Sequence, residues 1–103
     1  MTNTKKSIHN KENYHLLGKI LAAPNKKKIM YSLSIPLTPK EIVKKTDLNF
    51  PTVSKNIKDL EELGLLSVEN KDLKKGKVVI INTKGKDLLK DLEKRDQERK
   101  SKT

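Results

Sequence analysis

Hydroxyl, amide and ammonium groups gather over Pro51, Thr52, Ser54, Lys55, Asn56 and Lys58, whose spacings of three and four residues repeat along one stretch of chain. These are small side chains rich in neutral and cationic hydrogen-bond donors, the kind that reaches phosphate oxygens and the edges of bases. No histidine-carboxylate-nucleophile set, glycine-rich phosphate loop or metal-ligand cluster accompanies them. The glycines Gly18, Gly64, Gly76 and Gly85 are scattered where caps and turns need them. The chemistry on offer is recognition rather than catalysis, so neither an enzyme nor a cofactor is expected. The absence of cysteine excludes disulfides and thiolate metal sensing, and surface or structural roles are expected for His9 and His15, the only imidazoles.

Those groups need a helix to present them, and a second element to brace it. Thr38 supplies an N-cap hydroxyl, Pro39 fits the first helical position and Glu41 stands where its carboxylate can reach back, a capping box. Leu37 and Ile42 are placed to close a hydrophobic staple over it. This helix is expected to run to about Lys45, with Thr46, Asp47 and Leu48 making a turn. Asn49 then caps a second helix with Pro51 in its first turn. On that second helix Val53, Ile57 and Leu60 define a buried side. Pro51, Lys55, Lys58 and Glu62 project from the opposite one, flanked by Thr52, Ser54 and Asp59.

The remaining elements follow from apolar periodicity. Residues 1–12 are polar and carry Lys5, Lys6 and Lys11, reading either as a disordered basic arm or as the loose start of a first helix. Leu16, Leu17, Ile20 and Leu21 form the apolar stripe of a helix from Tyr14 to about Ala22. Asn25 can cap the next helix, whose Ile29, Met30 and Leu33 face inward and whose first turn crowds Lys26, Lys27 and Lys28 against the helix dipole. Beyond Gly64, Leu65 to Glu69 and Lys77 to Asn82 read as two strands joined by a turn bearing Lys71, Lys74 and Lys75. Val78 to Ile81 is apolar on both faces, so both are expected to be covered. Thr83 is expected to cap a last helix holding Leu88, Leu89 and Leu92. With no apolar residue after Leu92, that helix is expected to fray into a polar tail over residues 96–103.

From Leu37 to Leu66, with the downstream KGKVVIINTKGKDLL, the chain resembles winged helix-turn-helix transcription regulators of the MarR and ArsR kind. The carrying motifs are PTVS (Pro51 to Ser54), LEELGLL (Leu60 to Leu66), TKG (Thr83 to Gly85) and the upstream NKKKIMYSL (Asn25 to Leu33). The resemblance covers roughly residues 14 to 92. It implies a mostly α fold of about five helices with a small β-hairpin wing. It also implies that the helix at 49–63 enters the DNA major groove and that the wing at 69–77 lies on backbone or minor groove. In these families the two terminal helices build a homodimer, here through Leu16, Leu17, Ile20, Leu21, Leu88, Leu89 and Leu92. Those residues also look like more apolar surface than one small domain needs to cover itself.

Charge agrees with the motif. The 103 residues make one domain, read as residues 13–95, and 24 Lys and Arg against 13 Asp and Glu leave a net +11 that suits a polyanion. No apolar run is long enough to span a bilayer, and a soluble, cytoplasmic, nucleoid-associated protein is expected. The expected function is a homodimeric repressor reading an inverted repeat, with Thr38, Pro51, Thr52, Ser54, Lys55, Asn56, Lys58, Lys71, Lys74 and Lys75 on the DNA. The alternative is an architectural, chromatin-type protein of low sequence specificity. Arginine occurs only at Arg95 and Arg99, so the bidentate arginine contact to guanine is missing from the expected interface. Phe50 is either exposed for thymine-methyl contact or, more in keeping with the only phenylalanine of the chain, buried against a neighbouring helix. No small-molecule effector is assigned.

Overall fold

The computed structural model describes residues 14–72 and 76–102, with the side chains of residues 71, 72 and 98–102 left out of the description. Helix α1 occupies residues 14–21. It is followed by α2 (Pro24–Ser32), α3 (Pro39–Thr46), α4 (Phe50–Glu62), strands β1 (Leu66–Asp72) and β2 (Gly76–Ile81), and α5 (Thr83–Lys102). The architecture is mostly helical with one antiparallel hairpin. The expected arm at residues 1–12 lies outside the described residues, as do Lys74 and Lys75.

Local chemistry sets the two central helices. The Thr38 hydroxyl accepts from the Glu41 N–H at 3.2 Å, and the Glu41 carboxylate accepts from the Thr38 N–H at 2.8 Å, completing the capping box. That backbone hydrogen bond holds the Glu41 carboxyl below the usual carboxylate range. Its contribution is therefore present above the ordinary glutamate pKa and lost as pH falls through the lowered one. Thr38→Ala should cost about 1 kcal/mol in denaturant unfolding at neutral pH, with a smaller penalty in acid once Glu41 is protonated. Helix α3 ends at Asp47, which takes the left-handed conformation (φ 62°) as C-cap. The Asn49 carboxamide then accepts from the Thr52 N–H at 2.8 Å and opens α4.

Two caps differ from the sequence expectation. Helix α2 starts on Pro24, whose fixed φ suits the first helical position, so Asn25 falls inside the helix and the cap is Ala23, which makes no side-chain bond. The last helix is capped by Asn82 rather than Thr83. The Asn82 Oδ1 accepts from the Gly85 N–H at 2.8 Å while its Nδ2 donates to the Gly64 carbonyl at 2.8 Å. One side chain thus closes α5 and ties it to the turn after α4.

The hairpin has Val68 opposite Val79 and Asn70 opposite Lys77, with a register irregularity between Asn70 and Asp72. Alternation sorts its residues: Leu66, Val79 and Ile81 are buried at the base, whereas Asn70 and Lys77, further out on the same face, are exposed. The other face is only half-covered at Val78 and Ile80, short of the full cover expected. Among the described residues a single one outside the hairpin bridges to it: Leu37 and Val79 exchange backbone hydrogen bonds at 3.1 and 2.7 Å.

The core draws on every helix, including Leu17, Ile20, Ile29, Met30, Ile42, Val53, Leu60, Leu88 and Leu92. Leu16, Leu17, Ile20, Leu88 and Leu92 are therefore buried within one chain. The surplus apolar surface expected on the terminal helices shrinks to Tyr14 and Leu21, which are exposed, and Leu89, which is half-buried. Nor does α5 stop at Leu92, since it continues to Lys102. Its distal part is anchored by polar contacts instead of apolar ones: Asp96 accepts from Lys27 at 2.9 Å and from the Tyr31 hydroxyl. Partial burial, then the bond to Asp96 and the charges of Asp96 and Glu93, push the Tyr31 phenol pKa up.

Candidate nucleic-acid interface

Helix α4 turns by about 100° per residue, so Pro51, Lys55, Lys58 and Glu62 fall within an arc of roughly 60°. All four are exposed. Val53, Ile57 and Leu60 lie beneath and are buried, Val53 and Leu60 completely. Ser54 is exposed and Thr52 half-buried at the margins of the stripe. Neither Lys55 nor Lys58 is held in an ion pair among the described residues. An unpaired ammonium on a convex helix face keeps its full charge available to an approaching anion.

Asn56 stands elsewhere. It is buried to 9% exposure, its Nδ2 donates to the Thr52 carbonyl at 2.8 Å and its Oδ1 accepts from Lys26 at 2.8 Å. Its place is the flank of α4 that faces α2, not the outward stripe. The crowded lysines of α2 explain themselves in the same way. Lys26 also bonds Asp59 at 3.1 Å, and Lys27 pairs with Asp96 and lies 5.9 Å from the centre of the Tyr31 ring. Two of the three cations crowded into the first turn of α2 serve internal packing, and only Lys28 is exposed.

Between α4 and the hairpin runs an open groove of about 840 Å³. Phe50 lines it while half exposed (50%), contrary to the burial expected of it. Thr38, Lys40, Ser54, Lys58 and Lys77 supply polar lining from three elements. Lys40 and Lys77, both exposed, were missed by the sequence reading. Lys77 was legible in principle, since it shares strand parity with Val79 and Ile81 beyond the reach of the core. The side chain of Lys71 lies outside the described part.

Residues 23–68 match the family described as bacterial regulatory protein, arsR family. The fold matches a MarR family transcriptional regulator from Silicibacter pomeroyi, with TM-score 0.71 and 21% identity over 98% of this chain and 69% of that one. It also matches MepR, a transcription regulator of the Staphylococcus aureus multidrug efflux pump MepA, with TM-score 0.71 and 19% identity over 98% and 76% of the two chains. The chain has the winged helix-turn-helix fold. No curated protein matches its sequence. A third structure, the MepR–DNA complex, aligns with this winged helix at TM-score 0.69 and 18% identity, over 96% of this chain and 84% of that one. In winged-helix terms α3 and α4 are the helix-turn-helix, the hairpin is the wing and Leu37 forms a one-residue third strand. Among its described residues no helix is long and apolar enough to cross a membrane.

Proposed function

We propose that this winged helix is a regulator of transcription that binds duplex DNA, seating α4 in the major groove and the hairpin on the flanking backbone or minor groove. The observation that carries the reading is the outward stripe of α4. Pro51, Ser54, Lys55 and Lys58 are exposed together beside a groove whose other wall is the wing. A MepR–DNA complex among the similar folds supports it. Lysines at Lys40, Lys55, Lys58 and Lys77, with Lys71, Lys74 and Lys75 of the wing, would neutralise phosphates. Thr38 stays close to the backbone, while Thr52 and Ser54 approach base edges.

In this reading two copies associate through the outer sides of α1 and α5, where Tyr14, Leu21 and Leu89 keep apolar surface open. The pair spans successive major grooves about 34 Å apart on an inverted repeat and represses by occupying it. Such a protein acts in the cytoplasm, on the nucleoid.

Replacing Lys55 and Lys58 together by Ala should weaken binding to every duplex alike and flatten the log–log salt slope by about 2 per chain, read by fluorescence anisotropy at several salt concentrations. An unchanged slope would remove α4 from the interface. Without arginine at the interface, the architectural reading keeps a specific basis. A ratio of selected to random duplex affinity below about tenfold supports coating, and one above about 10³ supports regulation.

A further inference from the structure

The underside of α4 is held by Val53, Ile57 and Leu60, and apolar contact has no preferred direction. Packing opposes lifting and large turns alike, but it defines the fine angle of the helix less sharply than a hydrogen bond does. Turning matters, because side-chain tips at a helix radius of about 5–6 Å sweep roughly 2 Å for every 20°. That is more than a hydrogen bond to a base edge tolerates. Something directional has to set the angle.

Among the described residues, the only side-chain hydrogen bonds from α4 to another helix or strand converge on one ammonium. Lys26 Nζ lies 2.8 Å from Asn56 Oδ1 and 3.1 Å from Asp59 Oδ2. Asn56 and Asp59 are three residues apart, so a single cation spans one ridge of the helix. Asn56 cannot swing away freely, because its Nδ2 is bound to the Thr52 carbonyl. The cation itself has a fixed base: its neighbour Lys27 and Tyr31, one turn on, both hold Asp96 of α5. On the opposite flank Phe50 and Ser54 edge the open groove, so nothing comparable restrains α4 there.

We infer that Lys26 is a positioning residue for duplex recognition, fixing the rotation of α4 through Asn56 and Asp59 and so deciding which of its outward side chains meet the bases. The inference rests on the reading that α4 enters the groove. It separates two properties that a phosphate-binding lysine would join, namely selectivity among sequences and the electrostatic part of affinity.

The test uses the full chain, a duplex that it selects from a randomised pool of about 30 base pairs, room for two half-sites, and the unselected pool. Lys26→Met is expected to lower the ratio of selected to unselected affinity about tenfold, comparable to one mismatched base pair, with the salt slope unchanged. Lys26→Arg, which keeps a donor for both Asn56 and Asp59, should retain most of the ratio. Thermal unfolding reports whether each variant folds. Should Lys26→Met fail to fold, Asp59→Asn takes its place with an expected drop of about threefold in the same ratio. A folded Lys26→Met variant within twofold of the parent ratio overturns the inference. So does a uniform loss on both duplexes with a slope smaller by about 1, which would make Lys26 a phosphate contact. A parent chain that binds no duplex at all removes the underlying reading instead.

Discussion

Raising monovalent salt from about 50 to about 200 mM is expected to weaken binding of this protein to duplex DNA by about 10³- to 10⁵-fold. The size of the effect follows from where the cations stand. Lys40, Lys55, Lys58 and Lys77 are exposed along α3, α4 and the wing. Counting these four alone, two copies present eight, inside the range of about 6 to 10 neutralised phosphates that gives such a loss, and contacts from Lys71, Lys74 and Lys75 would steepen it. Because no arginine accompanies them, little of the affinity comes from bidentate base contacts that salt leaves intact. Titrations by anisotropy at four or more salt concentrations should give a log–log slope of about −5 or steeper. A slope near zero would contradict the interface, and a slope of half that size would mean that one copy binds alone.

Gly85→Ala should be the most damaging single-atom change in the fold, at about 3 kcal/mol or a drop of roughly 12–24 °C in Tm. A Cβ at Gly85 would collide with the Leu65 carbonyl oxygen and sit 2.6 Å from Cγ1 of Ile81. The first obstacle is backbone, and it is already committed, since the Leu65 carbonyl accepts from the Asn82 N–H at 3.2 Å. The helix cannot retreat either without breaking the bond from Asn82 Nδ2 to the Gly64 carbonyl. Overpacking therefore has to prise α5 off the base of the hairpin. Gly18→Ala is the matched control: nothing lies within 4 Å of its Cβ position, and on an exposed helix face the change should stabilise by about 0.5–1 kcal/mol. Calorimetry of both variants decides the matter, and a Gly85→Ala midpoint within a few degrees of the parent would refute the close approach.

What could be read from the sequence was what neighbours in the chain determine. The caps at Thr38 and Asn49, the buried ridge of Val53, Ile57 and Leu60, and the two strands of the hairpin all depend on residues within a turn or a strand pair. What could not be read depends on partners far along the chain. Asn56 sits at the edge of the buried arc, and only Lys26, thirty residues earlier, decides that its amide turns inward. Asn82 outranks Thr83 as a cap because Gly64 and Leu65 offer it partners of their own. The length of α5 escaped for the same reason, since Asp96 gains its partners from α2 rather than from apolar neighbours. At the interface, the outward lysines of α4 follow from periodicity alone. The exposure of Phe50 and the contribution of Lys40 require knowing where the groove runs.

The backbone exchange between Leu37 and Val79 has a mechanical side. Leu37 immediately precedes the capping box of α3, so the hairpin is pinned to the helix-turn-helix at one point while its outer residues extend past that point. The wing is then a lever with its fulcrum at Val79 and an arm of about 10 Å or more beyond it, at about 3.3 Å per residue. A fulcrum so placed fixes the angle between the wing base and α3 while the strand residues beyond Val79 project past it.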